Sequence, residues 1–320
     1  MDHKNTAKPS QSLFIRVVLL ILFMLGGYLI GQFLSIIIVL PYFGFDLDAI
    51  FAMTANMTGD ESYRTPLLLI QGVSSFCLFG AGPWYFWKFT KGESPMQLFH
   101  LKPMTNNRLI LAGGGIILLA IPTIGWFVYL NQQMALPEAF KELELYMKDM
   151  EVRLAETTLF LLGFQSIYQF ILGLLVVAVL AGILEEFVFR GILQNMFLKQ
   201  WGNAHMAIWI SAIVFSAIHM QFYGFLPRML LGALFGYLYW WSGNLYVPMF
   251  AHFVNNAYTL VSAYVGQQFF ETNLEEEMLS VQAPSFWFIL ISTPLFIGAL
   301  YSFYRVSTAG VPEQKVPTVE

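Results

Sequence analysis

The chain has 320 residues, 57% of them hydrophobic and 11% charged, with a formal net charge of −4. A water-facing domain carries roughly 25% charged residues, so a soluble globular protein is excluded. No basic patch interleaved with aromatics is present to recruit a nucleic acid, and the single cysteine, Cys77, excludes an intramolecular disulfide or a cysteine metal cluster.

What remains is an all-α, polytopic membrane bundle with the lipid bilayer as its solvent. A helix needs about 20 apolar residues to cross the hydrocarbon core. By that measure about eight segments qualify: 13–42, 65–90, 107–130, 161–198, 203–220, 226–242, 245–268 and 284–304. The first begins after Lys4, Lys8 and Arg16 and stays apolar from Val17 to Phe43. That is far longer than the roughly 7–15 apolar residues of a secretory signal, so it is expected to be a retained span. In the third, Gly113-Gly114-Gly115 and Pro122 either break the helix or let a neighbour approach closely. The fourth is too long for one perpendicular crossing and must tilt, project or begin at the interface.

Loop charge bears on the count. Lys4, Lys8 and Arg16 precede the first span, and Lys88, Lys91, Lys102 and Arg108 join the second to the third. Lys199 follows the fourth, and Arg305 and Lys315 follow the eighth. With eight spans all of these fall on one side, which the positive-inside rule makes cytoplasmic. Asp46, Asp48, Asp60, Glu61, Glu271 and Glu275 to Glu277 gather on the other side. Both termini are therefore expected in the cytoplasm and the chain in a cytoplasmic membrane.

Residues 137–156 differ in kind. Phe140, Leu143, Tyr146, Met147, Met150 and Leu154 recur at helical spacing among acids and lysines, which predicts an amphipathic surface helix on the extracytoplasmic face. Residues 306–320 read as a disordered polar tail.

Inside the fourth span lies AGILEEFVFRGILQN, residues 181–195. A charge near the bilayer centre costs about 2.5–3.5 kcal/mol on insertion scales, so it marks a functional site by default. Glu186 and Arg190 are i,i+4 neighbours and can pair, whereas Glu185 has Phe189 at that position. One glutamate is structurally committed and the other is free for chemistry. His219 ends the fifth span, and His252 and Asn256 share one face of the seventh.

Such a set can perform hydrolysis. A glutamate among apolar side chains suits a general base near neutral pH. A histidine on a facing helix can hold the same water, and a second histidine with an asparagine can donate to a tetrahedral oxyanion. The alternative is a site in which Glu185, His219 and His252 bind Zn²⁺ and leave one position for water; the sequence contains no HExxH helix. The cofactor expectation is thus Zn²⁺ or none.

EExxxR (Glu185, Glu186, Arg190), FxxxH (Phe215, His219) and HxxxN (His252, Asn256), in this order in a polytopic chain, resemble the CPBP family. These are the CAAX protease and bacteriocin-processing (Abi) intramembrane endopeptidases, which include the type II CAAX prenyl proteases. The resemblance covers about residues 165–265. It implies a catalytic core at 161–268, preceded by helices and the amphipathic segment at 1–160 and followed by a last span and tail at 269–320. It implies Glu185 as the base and His219 as its partner on the water. His252 and Asn256 would form the oxyanion site or contribute to a metal site, and Glu186 and Arg190 would orient the cavity. The implied partner is a membrane-associated peptide or protein substrate, the eight-helix architecture agrees with the count above, and a bacterial source is the expectation at family level. Two rival readings are a transporter using the Glu/His set as a proton relay, and a noncatalytic scaffold or immunity protein.

Overall fold

The computed structural model describes residues 12–91, 95–99, 107–270 and 282–309. Among these residues every regular element is helical and there is no strand. Hydrocarbon offers no partner to a backbone N–H or C=O, so each spanning segment must satisfy its own.

Helix α1 (Leu13–Val39) starts behind Ser12, whose hydroxyl accepts the Ile15 N–H. A short α2 (Leu47–Ala55) is capped by the Asp46 carboxylate. The second expected span consists of α3 (Arg64–Ser75), a π-helical segment (Phe76–Ala81) and α4 (Gly82–Lys91). Next come α5 (Arg108–Gln132) and α6 (Lys141–Leu162). The long central rod follows: α7 (Ile167–Gly173), a π segment (Leu174–Leu180), α8 (Ala181–Glu186), a second π segment (Phe187–Gln194) and α9 (Asn195–Trp201). Helices α10 (Ala204–Ala217), α11 (Phe225–Ser242), α12 (Tyr246–Phe269) and α13 (Phe286–Thr308) complete it.

All eight expected segments are therefore helical, and five stretches are long and apolar enough to cross a membrane: Leu13–Phe43, Glu61–Lys91, Arg108–Gln132, Ile167–Trp201 and Phe286–Thr308. The other three are shorter or more polar. Helix α10 has 14 residues, about 21 Å at 1.5 Å per residue. Helix α11 carries Arg228, and α12 carries His252, Asn255 and Asn256.

Several boundaries differ from expectation. The fourth span begins at Ile167 rather than 161, because α6 runs on to Leu162 and a new start forms at Ser166, which accepts the Gln169 N–H. Helix α5 is unbroken through its glycines and Pro122; Gly113 and Gly114 instead let Val247, Phe250 and Val254 of α12 come close. Helix α13 continues through Thr308, into the stretch expected to be a tail. Lys4, Lys8, Lys102, Glu271, Glu275 to Glu277, Lys315 and the tail from residue 310 lie outside the described residues.

Phe14, Leu29 and Phe33 on α1 and Phe286, Trp287 and Phe288 on α13 are each about two-thirds exposed or more. A continuous apolar surface of this kind is suited to lipid rather than water. Inside, α12 packs on α5 and α8, and α10 on α11. At Gly182 α8 comes against the α12 backbone: a Cβ there would lie 3.0 Å from the Phe253 nitrogen and 3.2 Å from the Met249 carbonyl oxygen. A residue without a side chain is what lets α8 bring its C-terminal glutamates up to α12.

Candidate active site

Glu185 and Glu186 end α8, the short α-helical step between the two π segments. Such bulges recur at functional sites because they turn side chains and carbonyls out of the regular ladder. One carbonyl of the first π segment, Val177 O, accepts from Asn256 Nδ2 at 2.9 Å and so ties the rod to α12.

Glu186 is fully buried, and its Oε1 accepts from Arg190 Nη1 at 2.7 Å and from His252 Nδ1 at 2.8 Å. Arg190 is equally buried and also donates Nη2 to the Gly232 carbonyl at 2.8 Å. Its guanidinium lies 4.6 Å from the Phe215 ring centre and 5.4 Å from that of Phe235, a favourable lining for a desolvated cation. Phe235 stacks on the His252 ring at 5.0 Å and Phe215 meets it edge-on at 5.9 Å. Imidazole and guanidinium are thus held by the same two aromatic residues and the same carboxylate.

Glu186 Oε1 already accepts from Arg190, and in the 2.8 Å contact with His252 it accepts again, with Nδ1–H as the donor. Its other nitrogen, Nε2, lies 4.0 Å from Glu185 Oε2. The adjacent glutamates differ in exposure as well as in partners: the Glu185 side chain is 15% exposed and that of Glu186 0%.

His219 sits in the turn after α10, where Met220 adopts a left-handed φ of 56° and swings the chain away from the helix axis. That conformation is uncommon for a side chain bearing a Cβ. His219 Nδ1 donates to the Phe215 carbonyl at 2.8 Å, and among the described residues Nε2 has no hydrogen-bond partner. Phe215 also meets the His219 ring edge-on at 5.2 Å, so it contacts both histidines. Asn256 lies one turn beyond His252; with one amide hydrogen committed to Val177, its Oδ1 accepts from Asn255 Nδ2 at 3.1 Å.

Glu186, Arg190 and His252 are therefore joined directly, Glu185 faces His252 at 4.0 Å, His219 is linked through Phe215, and Asn256 lies along α12. Among the described residues no three His, Cys, Asp or Glu side chains form a group that could hold a metal ion. The Glu185–His219–His252 zinc set is not assembled in this geometry, and no step below is routed through it.

The surface helix has a different inner face from the one its periodicity predicts. Phe140, just before α6, and Leu143 and Tyr146 on it are exposed, whereas Met147, Met150 and Leu154 are half-buried together with Glu144 and Glu151. Those two acids dock α6 on the loop after His219. Tyr223 donates its hydroxyl to Glu144 at 3.4 Å and its backbone N–H to Glu151 at 3.5 Å. The hydrogen bond from Lys148, 2.7 Å from Glu144, holds the Glu144 carboxyl below its ordinary value, and burial pushes Glu151 up.

Arg228 on α11 lies outside the three motifs, yet its charge acts on Glu185 and His219. The signal was available, since it is the one charged residue of an otherwise uncharged helix. Phe235 left no such signal, being one aromatic among many.

Residues 167–258 match the family model described as type II CAAX prenyl endopeptidase Rce1-like. That segment contains every motif residue and Arg228, so the resemblance carried by the three motifs holds over it. The uncharacterized protein YpbD of Bacillus subtilis (strain 168) is 35% identical to this chain over 77 residues, which cover 23% of this chain and 36% of that protein. The chain thus spans about a third of the length of this curated relative. No solved structure matches.

Proposed function

From the Rce1-like segment and the side chains it gathers, we propose that this protein is an intramembrane endopeptidase that hydrolyses membrane-associated peptides or proteins of the CAAX type. The observation that carries the reading is the arrangement of Glu185 and His252. Glu185 is partly exposed, makes no ion pair with a lysine or arginine among the described residues, and lies 4.0 Å from a histidine whose far nitrogen is fixed by Glu186. That distance is too long for a direct hydrogen bond, and a water lying beside the two side chains can contact both.

Glu185 takes a proton from the attacking water and later delivers it to the leaving amine. His219 turns its Nε2 to the same water. His252 donates through Nε2–H to the developing oxyanion, helped by the uncommitted amide hydrogen of Asn256. To donate from Nε2 while Nδ1–H stays on Glu186, His252 must be an imidazolium, and the buried Glu186 carboxylate stabilises that cation as the aspartate of a serine-protease triad does. Arg190 pairs with Glu186 and orients it. A positioned base contributes about 10²–10⁴ in rate, and an oxyanion donor about 10²–10³.

Catalysis is assigned to the core at 161–268, with 1–160 and 269–320 flanking it in sequence. The test compares purified wild type with Glu185→Gln on quenched membrane-anchored peptides, with and without a zinc chelator, after each protein's thermal transition has been checked. Glu185→Gln should lose at least about 100-fold in kcat while staying folded. Equal cleavage by a folded, contaminant-free variant returns the cluster to a proton relay or a structural network. Loss of cleavage on chelation would assign a metal to the reaction.

A further inference from the structure

The proposed chemistry needs His219 in one place, yet His219 stands on a turn rather than within a helix. Met220, the next residue, holds its left-handed φ of 56°. A side chain with a Cβ keeps such a conformation only where its surroundings impose it. Two ties bracket the strained residue. On one side Ser216, fully buried near the end of α10, donates its hydroxyl to the Phe225 carbonyl at 2.7 Å. On the other, the turn is gripped by Asn131, in the last turn of α5 and 2% exposed.

Asn131 Nδ2 donates to the Phe222 carbonyl at 3.1 Å and lies 3.6 Å from Met134 Sδ, while Oδ1 accepts the Leu226 N–H at 2.8 Å. Phe222 O and Leu226 N are four residues apart, the pair that an α-helix would join directly. The Asn131 amide takes both bonds instead. It keeps the head of α11 from closing one more helical hydrogen bond and holds open the turn that carries His219. Helix α6 touches the same turn at Tyr223, but through longer contacts of 3.4 and 3.5 Å. The shorter bonds of a buried amide are the stronger constraint.

Asn131 lies outside the Rce1-like segment at 167–258. We propose that Asn131 is a positioning residue for His219: its side-chain amide fixes the turn from outside that segment, so that α5 sets where the imidazole stands. The inference rests on the endopeptidase reading, in which His219 acts on the attacking water.

The test is a double-mutant cycle on quenched membrane-anchored peptides. It takes kcat, KM and the thermal transition for Asn131→Ala, His219→Ala and the two together. Asn131→Ala should reduce kcat about tenfold or more with little change in KM, since a misplacement of about 1 Å can cost 100-fold. In the His219→Ala background the same substitution should change kcat by less than about twofold, because no imidazole is left to misplace. Asn131→Gln keeps the amide on a longer arm. It should retain part of the turnover, and it carries the cycle if Asn131→Ala does not fold. Equal losses in both backgrounds would make Asn131 a structural residue only, and an unchanged kcat would remove it from the site. Either result overturns the proposal.

Hydrogen exchange keeps the two claims apart. The amides of residues 219–226 should exchange faster in Asn131→Ala than in wild type, while those of α13 exchange alike in both. If wild type cut no peptide, the endopeptidase reading would fall, and this difference would still assign Asn131 to holding the His219 turn. Equal exchange in the two proteins overturns the positioning claim whether or not the peptide is cut.

Discussion

Glu186, Arg190 and His252 share one buried carboxylate oxygen, so removing any one of them leaves charge or hydrogen-bonding capacity stranded in a buried site. Arg190→Met keeps much of the volume but strips Glu186 of its counter-ion. Breaking a buried pair from one side costs about 3–5 kcal/mol, so this variant should unfold at markedly lower denaturant concentration and lose activity with it. A transition unchanged in midpoint would show that the pair holds nothing together. At this scale the sequence was most informative. The spacing of Glu186 and Arg190 determined their pairing, because i,i+4 contacts are set by helix geometry alone. The bond from His252 Nδ1 to Glu186 was not legible, since it depends on how α8 and α12 meet.

That meeting is a property of elements, and Gly182 controls it. A methyl group there would press on the Phe253 nitrogen and the Met249 carbonyl of α12, both backbone atoms that cannot swing aside. Gly182→Ala should therefore move Glu185 away from His252 and reduce kcat by more than about tenfold, since a misplacement of about 1 Å can cost 100-fold. Gly115→Ala, at a position with nothing within 4 Å, is the control. It should leave activity intact and raise stability by up to about 1 kcal/mol through helix propensity. Equal effects of the two would contradict the packing argument. Helix α6 gives a second test. Because the folded value of Glu144 is depressed by Lys148, its contribution to docking is complete above the unfolded value of about 4.5 and is lost as pH falls through the lower folded value. The difference in hydrogen-exchange protection of α6 between wild type and Glu144→Gln should be present at neutral pH and vanish in acid; a constant difference would remove Glu144 from the docking contact. Periodicity found this helix but not its inner face. A stripe of Met147, Met150 and Leu154 looks alike toward lipid or protein, and only the loop carrying Tyr223 decides between them.

For the whole molecule, composition alone excluded a soluble fold, and the helical segments follow from the hydrocarbon's demand for internal hydrogen bonds. The number of crossings was less legible. The helices to which we assign part of the proposed chemistry are those whose polar residues and shortness weaken the apolar signal: α10 with 14 residues, α11 with Arg228, and α12 with two asparagines and a histidine. Function and hydropathy compete for the same positions. An even number of crossings would put both ends of the chain on one side of the membrane, which the loop charges propose as the cytoplasmic one. In a Cys77→Ser background, Ser12→Cys and Thr308→Cys should both be labelled by an impermeant thiol reagent from the cytoplasmic side only. Labelling from opposite sides would require an odd count and a revised bundle.

The central claim is that two adjacent glutamates divide the work, Glu185 acting on water and Glu186 holding the site. The most direct measurement takes kcat and the thermal transition together for Glu185→Gln and Glu186→Gln against wild type. The account predicts that Glu185→Gln loses turnover by at least about 100-fold with its transition unchanged, while Glu186→Gln loses turnover and melts lower. If Glu186→Gln stayed as stable as wild type while Glu185→Gln melted lower and kept its turnover, the roles would be reversed and the account wrong.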